Sequence, residues 1–203
     1  TQDQAPVQQQ SHHMICLESG AQAVVFERYQ SSSEEVYFRN VLLQIDLADQ
    51  SGLTYYKLQN ENCCAHHISN TMVYQQEFSR FAGLLLAAGS SYARDQLDWQ
   101  LTHCSAECQW KALVAADQSQ QLEVYTQASH LAAQCQSKQE ICTLASDRAK
   151  VTCHNTIYVE PSAHKTDAKL HNRNVLLSDQ VMVNTKPALE IYHDDVKCAH
   201  GAT

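Results

Sequence analysis

Asn40-Val-Leu-Leu-Gln-Ile-Asp-Leu47 decides the class of fold. Val41, Leu43, Ile45 and Leu47 alternate with Asn40, Gln44 and Asp46, and Leu42 breaks the pattern. Successive side chains of an extended strand leave opposite faces, so this stretch reads as a strand with one face buried and one in water. The same period returns on both sides of it. Leu97, Trp99, Leu101 and His103 share a face, as do Val151, Cys153, Ile157 and Val159 around an irregularity at Asn155; Leu189 and Ile191 continue the theme. Polar turns intervene at residues 30–35, 49–52, 60–62 and 178–180. Short half-buried strands at regular spacing predict an all-β chain. No segment carries a 3.6-residue apolar stripe over three turns; residues 82–93 come nearest, and their Gly and Ser content argues against a helix.

Five Gly and three Pro are few for so many turns. Asn and Asp, which tolerate left-handed backbone, are therefore expected at the turn positions. The spacing suits a β-helix or solenoid, whose coils stack without identical sequences, and a sandwich or jelly roll is the rival.

The 203 residues can bury one sizeable core and carry a formal net charge of −8. That balance disfavours a nucleic-acid partner, which needs a basic stripe. The longest apolar run, residues 81–88, is far short of the ~20 residues of a membrane-spanning helix, so no membrane role is expected. Residues 1–10 are Gln-rich and polar, unlike a signal peptide, and are expected to be a disordered segment ahead of a core over 11–203. Nine cysteines without a secretory signal point to free thiols in a reducing, cytoplasmic compartment. With no initial Met, and an end straight after a chemically dense motif, the sequence reads as part of a longer polypeptide, truncated at its C-terminal end.

The densest chemistry lies in Lys186-Pro-Ala-Leu-Glu-Ile-Tyr-His-Asp-Asp-Val-Lys-Cys-Ala-His-Gly-Ala-Thr203. Cys198 and His200 are two residues apart, hence on one face of a strand. Thiolate and imidazole are the usual protein ligands of iron and iron–sulfur centres. Two ligands do not fill a cluster's coordination sphere, so a site here has to be completed from elsewhere. Cys63-Cys64-Ala65-His66-His67 is equally rich, but adjacent strand residues diverge and the paired spacing of a zinc site is missing. It reads as a loop with incidental thiols, and a stand-alone metal-binding protein using Cys63, Cys64, His66 and His67 is the minor alternative. Cys104 and Cys108 read as core thiols, His12 and His13 as exposed, and Asp194-Asp195 as a solvated turn. No phosphate loop is present, so the chain is not expected to bind or hydrolyse ATP by that route, and neither a nucleophile elbow nor a His-Glu-x-x-His helix appears.

Two further stretches carry a resemblance. Ile157-Tyr-Val-Glu-Pro-Ser-Ala-His-Lys-Thr-Asp-Ala-Lys-Leu-His-Asn-Arg-Asn-Val-Leu-Leu-Ser178, with the run from Thr185 to Thr203, closely resembles the SufB/SufD family of iron–sulfur cluster assembly proteins. Leu-Glu-Ile-Tyr followed by Asp-Asp-Val-Lys-Cys-x-His-Gly-Ala-Thr is similar to the SufD branch. Fainter similarity reaches back through His130, Cys135-Gln-Ser-Lys-Gln139 and Ser146-Asp-Arg148 to about Ser11. Cys153-His154-Asn155 departs from the apolar-Asn-Gly turn of relatives, and the family's flanking helical regions are absent from this sequence.

The resemblance implies a right-handed parallel β-helix core and a scaffold role in a SUF complex. It implies a SufB-like paralogue as partner, or a homodimer when alone, and a SufC-like ATPase docked through a region not in this sequence. It implies a nascent iron–sulfur cluster at the shared interface, with His200 and its neighbour Cys198 as the residues of this chain that hold it, and a reduced flavin in the whole complex. A purely structural subunit without a ligand role is the alternative within the family.

Overall fold

The computed structural model describes residues 7–31 and 33–203, and among them it is all β. One sheet holds β1 (Val7–Leu17), β3 (Tyr37–Leu47), β5 (His66–Gln75), β7 (Tyr92–Leu101), β9 (Gln121–His130), β11 (Lys150–Val159) and β13 (Met182–Ile191) in that order. The other holds β14 (Val196–Ala202), β12 (Thr166–Leu176), β10 (Gln136–Ala145), β8 (Glu107–Ala116), β6 (Arg80–Ala87), β4 (Gly52–Asn60) and β2 (Gln22–Gln30). Every pairing is parallel, and odd strands pair with odd, even with even. Each coil therefore gives one strand to each sheet. The result is a parallel β-solenoid of seven coils, and the sandwich alternative falls away.

Stacking in register turns the period-2 pattern into continuous columns. One inward column of the odd sheet runs Ile15, Ile45, Val73, Trp99, Ala128, Ile157, Leu189. Its counterpart on the even sheet runs Val25, Tyr55, Gly83, Trp110, Gln139, Leu170, His200. Tyr55, Phe81, Trp99 and Trp110 form a fully buried aromatic cluster, with Trp99 edge-on to Trp110 at 5.9 Å. Gly83 makes room for it, since a Cβ there would lie 2.4 Å from Trp110 Cε3.

The turns differ from expectation. Gly20, Gln50, Phe78, Ser105, Gln134 and Lys165 hold positive φ at equivalent corners, and among the described residues Asp147 is the only Asn or Asp with positive φ. Stacking explains it. The N–H at each of these six corners donates to a carbonyl of the next coil, as in Gln50 N to Glu77 O at 2.8 Å and Lys165 N to Asp195 O at 2.7 Å. These bonds offset the cost of left-handed backbone that Asn would otherwise lower.

Two other readings are corrected. Of the polar segment 1–10, residues 7–10 belong to β1 and pair with Tyr37–Asn40, because a parallel ladder needs backbone groups rather than apolar side chains; residues 1–6 lie outside the described residues. Asn155 is no irregularity. It sits fully buried at an inward position of an unbroken β11, where its amide donates to Thr126 Oγ1 at 2.7 Å and its carbonyl accepts from Asn172 at 2.9 Å.

Candidate functional site

β14 bonds to β12, with Cys198 opposite Ala168 and His200 opposite Leu170. Ala168 and Leu170 are buried core residues, so Cys198 and His200 project from the inward face of the last coil. Cys198 is half-buried against the cluster of Ile157, Val159, Ala163, Ala168 and Leu170; His200 is exposed. The chain just beyond is held in place, because Thr203 N donates to Asn172 O at 3.0 Å and Asn174 N to Thr203 O at 2.8 Å. Gly201 stands on the opposite, outward face, where a Cβ would lie 3.1 Å from His171 Nδ1. The Cys-Ala-His-Gly-Ala-Thr run is thus extended strand backbone that places a thiol and an imidazole side by side on one face.

Burial pushes the Cys198 thiol above its ordinary value and the Asp167 carboxylate adds to the shift, while a hydrogen bond from the Ala168 backbone opposes them. The side chain is therefore a thiol at neutral pH, and becomes a thiolate ligand or nucleophile when a cation displaces its proton. Among the described residues no group of three or more His, Cys, Asp and Glu side chains is placed to hold a metal ion. Cys198 and His200 together offer two donors.

The other cysteine- and histidine-rich segment is divided by its geometry. Cys63 and Cys64 occupy the turn before β5, His66 points outward and His67 inward. His67 Nδ1 lies 2.8 Å from Glu61 Oε2, and its ring meets Tyr29 edge-on at 4.7 Å. Glu61 also accepts from Arg39 at 2.7 Å and Tyr37 at 2.8 Å. Burial alone would raise the Glu61 carboxyl, but His67, Gln59 and Tyr37 outweigh it and hold it down at about 2. His67 is thus committed to an interior contact with Glu61.

Cys108 is buried as expected and its thiol is pushed up by burial, whereas Cys104 is exposed in a turn. His12 and His13 are exposed on β1, and Asp194 and Asp195 are exposed in the turn before β14.

Interior charge was not anticipated. Lys57, on the buried face of β4, donates to both Ser69 Oγ and Asp95 Oδ2. The signal was available, since Lys57 and Gln59 continue the inward parity of Leu53 and Tyr55.

The family model for the SUF system FeS cluster assembly SufBD core domain matches residues 1–203. The iron–sulfur cluster assembly protein SufD of Escherichia coli K12 is 31% identical over 192 residues, covering 94% of this chain and 45% of that protein. The SufBD family protein slr0076 of Synechocystis is 25% identical over 209 residues, with coverages of 99% and 46%. The chloroplastic protein ABCI7 of Arabidopsis thaliana is 25% identical over 190 residues, with coverages of 93% and 40%. The chain spans less than half the length of each of these curated relatives.

Proposed function

Because the chain belongs to the SufBD core family of the SUF iron–sulfur assembly system, we propose that it is a SufD-like scaffold subunit that offers half of a cluster-building site to a SufB-like partner. The observation that carries this reading is the co-facial pair Cys198 and His200 on β14, two donors beside each other on one face of the strand. Iron is cargo here. His200 binds it through the unprotonated nitrogen of a neutral imidazole, and Cys198 is the adjacent ligand or sulfur acceptor once its proton is displaced. Imidazole in place of thiolate leaves the cluster less anionic, which suits a site that must release its product. A SufC-like ATPase supplies the motion that opens the shared site, and the chain itself catalyses no reaction.

Anaerobic reconstitution of the full-length protein with its SufB and SufC partners tests this. The His200→Ala complex is expected to assemble normally on a sizing column and to lose most of its cluster absorbance. Unchanged absorbance would refute the ligand role. The second reading, architecture alone, is favoured by one observation: Cys198 packs against Ile157, Val159 and Leu170 with its thiol raised. Under it Cys198→Ala, like His200→Ala, leaves cluster yield at the wild-type level.

A further inference from the structure

The outward faces of the two sheets differ in kind. On the odd sheet the outward rows are mainly polar, for example Asn70, Gln96, Tyr125, His154 and Lys186 in register. On the even sheet Phe26, Tyr56, Leu84, Leu113, Leu144 and Val175 are all exposed, by 39 to 64%. They form a continuous diagonal. Phe26, Tyr56 and Leu84 are in register; Leu113 stands opposite Leu86, two residues further along, and Leu144 and Val175 are in register two residues further again. The stripe crosses five strand spacings and climbs four residues, roughly 27 Å in all, the length of about 18 residues of α-helix. At its far end a groove of about 250 Å³ is lined by Ala88, Ala115, Leu144 and Leu177 together with Asp117, Gln120 and Ser146.

Charge gives the stripe a direction. Lys111, Lys138, Lys169 and Arg173 stand beside it, with Arg28, Arg80 and Lys197 at the margins of the same face. Those seven are half of the chain's fourteen Lys and Arg, whereas Glu107, Glu140 and Asp167 are three of its twenty-two acidic residues. A molecule of net charge −8 therefore turns a face of net charge +4 outward along an apolar diagonal. A contiguous exposed apolar patch with a charged rim marks an interaction surface.

We infer that this face docks an amphipathic α-helix of about five turns from a separate protein, with an apolar stripe and an acidic flank. Leucine-type anchors at i, i+3/i+4 and i+7 rise about 5.4 Å per turn and follow a diagonal whose strands are ~4.8 Å apart. The acidic flank lies over Arg173, Lys111, Lys138 and Lys169, where it competes with Glu140 for Lys111 and Lys138 and with Asp167 for Lys169. This face points away from the inward side of β14, so the inference stands apart from the role of His200.

The test is fluorescence anisotropy with the full-length protein and a labelled 18-residue helical peptide bearing Leu on one stripe and Glu on one flank. Saturable binding that weakens with salt is expected. Leu84→Glu/Leu113→Glu and Lys138→Glu/Lys169→Glu each raise Kd at least ~10-fold, and the second flattens the salt dependence. Lys150→Glu, on the other sheet, changes Kd by less than ~2-fold. All these positions point outward, and unchanged melting temperatures confirm that the variants fold. Absence of saturable binding, equal binding of a peptide with Lys in place of Glu, or indifference to both double substitutions overturns the inference. So does a preference for phosphatidylserine vesicles that the same substitutions abolish, which would make the face a membrane contact.

Discussion

Acidification toward pH 4 should destabilise this solenoid through His130. His130 closes β9 on the inward face with no exposed surface. Its Nε2 lies 2.8 Å from Ser137 Oγ, and its Nδ1 has no hydrogen-bond partner among the described residues. Burial holds its pKa down at about 4 against an ordinary 6.5. The folded state thus keeps the ring neutral while the unfolded chain takes up a proton below 6.5. The stabilisation is complete above pH 6.5 and is lost as the pH falls toward 4. At about 1.4 kcal/mol per unit, the full window is worth about 3 kcal/mol, of which about 2 kcal/mol is gone by pH 5. Urea unfolding of wild type and His130→Gln at pH 7.5 and pH 5.0 isolates the effect. Gln lacks the titration and can still bond Ser137, so the variant starts lower yet loses about 2 kcal/mol less between the two pH values. Equal losses in both proteins would refute the reasoning.

Other perturbations follow from the same interior. Breaking the Lys57–Asp95 pair by Asp95→Asn leaves a buried ammonium without its counter-charge and should cost about 3–5 kcal/mol, whereas Lys57→Met with Asp95→Leu should recover most of that loss in urea titration. Gly83→Ala drives a Cβ to 2.4 Å from Trp110 Cε3, and should cost about 1–3 kcal/mol and shift the tryptophan emission. Glu61, held at about 2, adds stability present above pH 4.5 and lost as the pH falls toward 2; Glu61→Gln should flatten unfolding curves in that lower window and leave the window of His130 unchanged.

Strand class and solenoid spacing were legible because each buried face is written as alternation in the sequence: Val41 to Leu47 reads the same way in the fold as in the chain. The placing of Cys198 and His200 on one face was legible for the same reason. Three things were not. Asn155 and Lys57 are inward polar residues whose partners, Thr126, Asn172, Ser69 and Asp95, come from other strands, so hydropathy alone misassigns them. Residues 7–10 look unstructured by composition, yet their ladder to β3 is a backbone property. The left-handed corners at Gln50 and Lys165 are fixed by a bond to the next coil, which no local propensity contains. The raised Cys198 thiol likewise arises from burial against β12 and from Asp167, neither visible at the spacing of two residues that singled it out.

The central claim is that His200 donates a nitrogen to a cluster shared with a SufB-like partner. Pulsed electron paramagnetic resonance of the reduced, reconstituted complex, with ¹⁵N-histidine in this subunit alone, measures that bond directly. The account predicts a hyperfine coupling to one ¹⁵N that disappears in His200→Ala. A cluster that forms in the wild-type complex without ¹⁵N coupling, or a coupling that survives the substitution, would contradict it.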